Sequence, residues 1–439
     1  MSNTGFADVI TKPAGPDNFS VSGLGTFAPG AGPVIGLEGK VFLGTIEGKV
    51  IALHPDGSAF WNHQLPDSRE VRTPPAIGSD GSVYVVGVRR GDIRDHRVGG
   101  TGLTRIHLAT LYKFTKDGGT PPLGNAVDFP EHRSAGNPQH YGPQFIGAHD
   151  VWRFGDDEAI LVPAAYPTVG GYDLHLLAFA PGGGRGRIVG VGSLIADVKV
   201  AYWGGEDVIG ESGIQPPSFP PGIVPPPAPL PFPGVAIYTS PQGGRPWIAV
   251  SNSWHRELVA FTFLPAEGFK EVSRTRASDD AMKFHSSPTI LPNMNTAVGT
   301  NKGVMFGGPS ASPAAPITNL GSVLAQPTLA AGNRVMVVEY NSLAVLQNNA
   351  VVAHTAFPGV SIARAGASGT HVFVSTTNGL HTFDQNAHRL FTLPWHGGIS
   401  SPAIGPQGHV YVTDDSNGLY VFPPPTERER QDIGRGLQI

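Results

Sequence analysis

The sequence predicts an all-β chain folded as an eight-bladed β-propeller, and three observations carry that prediction. A strand-and-turn pattern of about 40 residues recurs from near the start of the chain to near its end. Each recurrence is a set of short period-2 apolar segments bounded by Gly, Asn or Asp, residues that tolerate the positive φ of tight hairpins. The composition suits burial: of 439 residues, 40% are hydrophobic and 15% charged, against a usual charged share of about 25%. Disordered and long-helix architectures are excluded on the same grounds.

The units follow in order. Gly32 to Leu65 reads as four strands separated by two Gly turns and an Asp-Gly turn, and Ser400 to Phe422 repeats the first three of them. Between these lie TPPAIGSDGSVYVVG from Thr73, SSPTILPNMNTAVGTNKGVMFGG from Ser286, AQPTLAAGNRVMVVEYNSLAVL from Ala325 and SIARAGASGTHVFVSTTNGLHTF from Ser361. The residues that open each first strand align as Pro33, Pro75, Pro143, Pro233, Pro288, Pro327, Ala363 and Pro402, giving eight units. A four-stranded unit cannot bury both faces alone, and eight arranged around an axis pack each sheet on the next. The last unit ends after three strands at Phe422, so the strand-like stretch Asn18 to Phe27 is expected to supply its outer strand and close the ring. The expected organisation is an N-terminal arm (1–17), one propeller (18–425) and a charged tail (426–439). A two-domain chain broken in the Pro-rich segment is the weaker alternative, because repeats continue on both sides.

Several functions are excluded or disfavoured by composition. A net charge of −4 gives no basic surface for nucleic acid or an acidic membrane. The absence of cysteine removes disulfides, thiolate metal sites, iron–sulfur clusters and a cysteine nucleophile. No window is apolar for about 18 residues, and the N-terminal stretch has no basic region followed by an apolar run. The expectation is a cytoplasmic protein with no membrane or nucleic-acid partner.

The units resemble the PQQ-like, quinoprotein-type repeat family: Pro-Ala, a Gly turn, Val-Tyr-Val, a second Gly turn, Leu-Tyr-Ala-Leu, then Gly and Trp. The likeness runs from about Gly32 to Phe422. The family includes quinone-dependent alcohol dehydrogenases and an eight-bladed outer-membrane assembly lipoprotein, so the resemblance implies fold more than function. Its blade-closing pattern survives as Ala52, Gly57 and Trp61 in the first unit, with His54 where an Asp is common. The adjacent cysteine pair of the dehydrogenases and the lipid-anchoring cysteine of the assembly factor are both absent. Bound PQQ is not expected.

In a propeller, loops leading into each first strand and turns between second and third strands share one face, at the mouth of the central channel, and such loops collect function. Arg72, His140 and His285 each stand three residues before a register proline, and His396 stands six before Pro402. The mouth turns add Glu47, His96, Asn252, Trp254, His255, Glu339, Asp414 and Asp415. His140 and His285, with His396, are candidate ligands for a divalent metal, and His140 and His285 candidate acid–base groups. The alternative is turn residues bonded to nearby backbone carbonyls. Arg72 either clamps a carboxylate or phosphate or pairs with Glu70 or Asp67.

Two insertions are expected on the same face. One, from about 89 to 107, carries a basic cluster. The other, from about 196 to 233, holds ten prolines between Pro216 and Pro233. It reads as a semi-rigid lid presenting Trp203 and Glu206 to a ligand, or as an exposed loop. The leading functional reading is a propeller that binds a small molecule, peptide or protein partner at the funnel mouth. An enzyme of lyase or hydrolase type, metal-assisted or His acid–base, in the same funnel is the alternative, and a quinone-dependent dehydrogenase stands third.

Overall fold

The structure, a computed structural model, describes residues 6–7, 19–28, 31–67, 69–89, 109–119, 126–133, 140–143, 145–168, 171–181, 194–204, 234–239, 244–252, 256–279, 281–308, 320–393, 400–414 and 418–422. Eight antiparallel sheets follow one another along the chain. Blade 1 is Val34–Ile35, Val41–Gly44, Lys49–Leu53 and Ala59–Gln64. Blade 2 is Ala76–Ile77, Val83–Arg89, Ala109–Phe114 and Ala126–Asp128. Blade 3 opens with Phe145–Ile146 and Asp150–Phe154, which share one partner strand, and continues with Asp157–Thr168, Gly171–Phe179 and Leu194–Gly204. Blade 4 is Val235–Tyr238, Trp247–Asn252, Glu257–Leu264 and Gly268–Arg276. Blade 5 shows three strands among the described residues, Thr289–Ile290, Thr296–Thr300 and Gly303–Gly307. Blade 6 is Thr328–Ala330, Arg334–Val338, Ser342–Gln347 and Ala350–Ala356, and blade 7 is Gly366–Ser368, His371–Thr376, Gly379–Asp384 and Arg389–Leu393. Blade 8 is Ala403–Ile404, Val410–Thr413 and Leu419–Phe422, completed by Phe19–Val21, which pairs antiparallel with its third strand. The ring closes with a strand from the opposite end of the sequence.

The core lies between blades. Strand alternation sends successive side chains to opposite neighbours. In the second strand of blade 3, Ile160, Val162 and Ala164 pack toward blade 2, while Ala159, Leu161 and Ala165 pack toward blade 4. Each of the eight blade-to-blade interfaces holds its own apolar cluster, including the closing one, where Ile35, Val41 and Leu43 meet Tyr411, Leu419 and Val421. Trp61 docks blade 1 onto blade 2 over the turn at Gly118. The φ of Gly118 is +81°, and a Cβ there would stand 2.5 Å from the indole, so only glycine fits beneath the ring.

Two sequence expectations need correction. The register residue of blade 7 is Ala365, not Ala363. The Thr289 hydroxyl of blade 5 donates to the Pro327 carbonyl (2.5 Å) and the equivalent Thr328 of blade 6 donates to Ala365 (2.8 Å), so Ala365 takes the place of a register proline. Likewise, the insertion expected from about 196 begins later, because Leu194–Gly204 is the outer strand of blade 3. Residues 205–233 and 90–108 lie outside the described residues.

Trp152 is fully buried at the interface of blades 3 and 4, edge-on to Phe263 at 4.9 Å. Trp152→Ala is expected to lower unfolding free energy by about 3–5 kcal/mol, read as a fall in urea midpoint with unchanged sheet content by circular dichroism.

Candidate functional site

First strands of consecutive blades touch around most of the ring, which makes them the wall of an axial channel. At the mouth end of that wall, the residues preceding the register positions form a polar belt. Gln326 donates from Nε2 to the Pro288 carbonyl (2.8 Å) and accepts at Oε1 from Arg364 Nη1 (3.3 Å). Ser287 accepts at Oγ from the Gly234 backbone N–H (2.7 Å). Arg364 belongs to blade 7, and Asp150 to blade 3, four places away in a ring of eight. Burial pulls the Arg364 guanidinium down to about 10, and the Asp150 carboxylate acts against that shift. Arg364 and Asp150 thus belong to opposed blades of the ring, and their charges interact.

Beside Asp150, His149 is buried in the wall between blades 2 and 3. Its Nε2 faces the Tyr84 carbonyl at 3.0 Å, which assigns the proton to that nitrogen, and Nδ1 lies 3.4 Å from the Thr73 hydroxyl. Burial lowers its pKa to about 4, opposed by the carbonyl contact.

A further strand enters the channel. Phe6–Ala7 pairs in parallel with blade 7, Phe6 opposite Ala367 and Ala7 opposite Ser368. It occupies the axial edge of the first strand of that blade and also touches the first strand of blade 6. The inner edge of a propeller sheet is an unpaired row of N–H and C=O groups, and this segment of the chain's own arm pairs with it.

The residues expected from sequence divide as follows. Arg72 donates from Nε to Glu70 at 2.5 Å, the ion pair weighed as its alternative. Glu339 is buried and accepts from the Gly321 backbone N–H, the Ser342 hydroxyl (2.7 Å) and the His354 imidazole. Its carboxylate is taken up by these contacts within blade 6 and the turn before it. Glu47 and Asp414 are used in the same way, accepting from the backbone N–H groups of Thr26 (2.9 Å) and Gly418 (2.7 Å). His285 donates its backbone N–H to Gly299, and burial, helped by the Lys283 ammonium, lowers its imidazole to about 4, so it is neutral at pH 7. His140 pairs with Arg133 in a two-stranded ribbon ahead of blade 3, and Trp203 pairs with Tyr172 in the outer strand of that blade rather than on a lid. His96, Glu206, Trp254, His255 and His396 lie outside the described residues.

Asp150, Arg364 and His149 escaped sequence reasoning. Arg364 carried a readable signal, an arginine immediately before the register residue, where other units place Gly, Pro, Phe, Ser or Gln. Among the described residues, one grouping brings His and Asp donors to within 4.8 Å of one another: His132, His175 and Asp197, on the flank of blade 3 facing blade 2 and away from the axis. Burial would raise the Asp197 carboxyl, but the two imidazoles outweigh it and hold the group at about 2.

No protein-family model matches the chain, and no curated protein does. Several solved structures are similar over nearly their whole length. BBS1N in complex with ARL6DN is 12% identical with a TM-score of 0.49, covering 96% of this chain and 97% of that one. BamB from Moraxella catarrhalis is 11% identical with a TM-score of 0.37, covering 95% and 86%. Streptogramin B lyase is 10% identical with a TM-score of 0.44, covering 93% and 98%. At these values the likeness is one of whole-chain shape and carries no ligand or activity to this protein. No helix among the described residues is long and apolar enough to cross a membrane.

His149 gives a pH test. The unfolded imidazole binds its proton near 6.5 and the folded one near 4, so between those values the unfolded chain holds more protons and stability falls as pH falls. The loss from this group reaches about 3 kcal/mol by pH 4. Urea midpoints measured at pH 7 and pH 4.5 are expected to differ less in His149→Leu than in the parent protein.

Proposed function

We propose that this protein is a partner-binding propeller that receives an extended polypeptide segment at the mouth of its axial channel. The observation that carries this reading is the parallel pairing of Phe6–Ala7 with Ala367 and Ser368. It supports an inner edge of blade 7 able to accept a strand through main-chain hydrogen bonds, a recurrent mode of peptide recognition. The arm of the chain itself would then stand where a partner strand docks. Arg364 and Asp150 lie at the end of the wall toward which the N-terminal side of a parallel strand runs. They would fix the register of that strand through charged or polar groups near its start. The Pro-rich segment 205–233 joins the outer strand of blade 3 to the first strand of blade 4.

The test is direct binding. A variant lacking residues 1–17 is titrated with a fluorescent peptide of that sequence, and saturable binding in the micromolar range is expected, about −8 kcal/mol. Arg364→Gln is expected to weaken it about tenfold. Absence of binding, or equal binding of a scrambled peptide, would contradict the proposal.

A further inference from the structure

The flank of blade 3 that faces blade 2 carries a polar patch in an otherwise apolar interface. Tyr166 stands opposite Asp173 in the sheet, His175 opposite Lys199, and Leu177 opposite Asp197, so these side chains share one side. A bulge in the outer strand, where pairing steps from Leu174 with Ala201 to His175 with Lys199, sets the register that brings Asp197 beside His175. His132 arrives from the connector after blade 2, its ring 4.3 Å from His175 and 4.1 Å from Tyr166.

The contacts within this group are unevenly satisfied. His175 donates from Nδ1 to Asp197 Oδ1 at 2.6 Å. His132 Nε2 reaches the other carboxylate oxygen, 3.0 Å from Asp197 Oδ2. The Tyr166 hydroxyl, in a residue 1% exposed, has no hydrogen-bond partner among the described residues. One buried hydroxyl thus stands without a partner among the described residues beside a carboxylate that both imidazoles address, and a buried donor left unpaired is costly. Lys199 is neutralised by Asp173 at 2.6 Å, so the group as a whole is negative when its imidazoles are neutral.

We propose that His132, His175 and Asp197 form a site for a divalent transition-metal ion of the zinc class, which ties the connector after blade 2 to the outer half of blade 3. Two imidazole nitrogens and one carboxylate oxygen select zinc, cobalt or nickel over calcium or magnesium, which favour all-oxygen sites. A tetrahedral ion with ligands near 2 Å needs donor atoms about 3.3 Å apart, within reach of the separations here by small side-chain rotations. The ion takes the place of the proton that His175 Nδ1 gives to Asp197, and the imidazole keeps its charge by moving to its other neutral tautomer. The Tyr166 ring packs against both imidazoles, with centroids 4.1 Å from His132 and 5.1 Å from His175. This site is separate from the axial mouth and stands whether or not peptide binding there holds.

The full-length protein, stripped with chelator, is titrated with zinc by calorimetry and with cobalt by visible absorption. One ion per chain is expected, with the intense ligand-field bands of tetrahedral cobalt, and zinc is expected to raise the melting temperature by about 3 °C. Asp197→Asn and His175→Ala are expected to lose affinity at least about 100-fold and to lose the melting shift. His132→Gln, at the more exposed corner, gives the same reading should His175→Ala fold poorly. Absence of stoichiometric binding overturns the proposal, and so does zinc binding that survives both Asp197→Asn and His132→Gln, which would place the ion on other histidines among the chain's 16.

Discussion

Everything in this molecule depends on the burial of blade faces against each other. A short antiparallel sheet with apolar residues on both sides exposes one face too many, and closing eight of them into a ring leaves none exposed. The closing interface is built like the others, with Ile35 and Leu43 packed on Tyr411 and Leu419, and the ring is sealed by Phe19–Val21 pairing with the last blade. This arrangement spends side chains on neighbouring blades, so polar chemistry is left to two places: the axial wall, and gaps in an interface where the apolar alternation is broken.

Both candidate sites follow from that constraint. At the axis, each first strand has an inner edge that no blade can pair, and residues just before it, such as Gln326 and Ser287, bond to the neighbouring blades. Arg364 and Asp150 sit on opposed blades there, and the chain's own Phe6–Ala7 strand takes the inner edge of blade 7. In the interface of blades 2 and 3, the sequence GYDLHLLAF places Asp173 and His175 where Leu177 and Phe179 continue an apolar row. The polar cluster there is the price of that break, and a bound ion would offset it.

The sequence made the fold legible because the fold is written locally. Pro33, Pro75, Pro288, Pro327 and Pro402 each stand one residue ahead of a first strand, and Gly turns mark the hairpins. Blade 7 misled because Ala363 and Ala365 are both small, and only the Thr328 bond to Ala365 separates them. The site was less legible for a different reason. Mouth-turn acids such as Glu47, Glu339 and Asp414 look like ligands in sequence, but turns leave backbone N–H groups unpaired and these carboxylates accept them. His132, His175 and Asp197 have no shared spacing. They meet only through strand register and one bulge, which no local pattern encodes. Arg364 was visible as a break in the repeat, whereas its partner on the opposed blade was visible only in the closed ring.

The central claim is that the inner edge of blade 7 is a strand-docking surface held by the arm of the chain itself. A chain with no native cysteine allows a clean test by paired thiols. Ala7→Cys and Ser368→Cys, directly opposite in the parallel register, should form a disulfide under mild oxidation, detected by mass spectrometry of the digested protein. Ala7→Cys paired with Thr355→Cys, on the outer part of blade 6, should not. Failure of the first pair to crosslink, or equal crosslinking of both, would contradict the account.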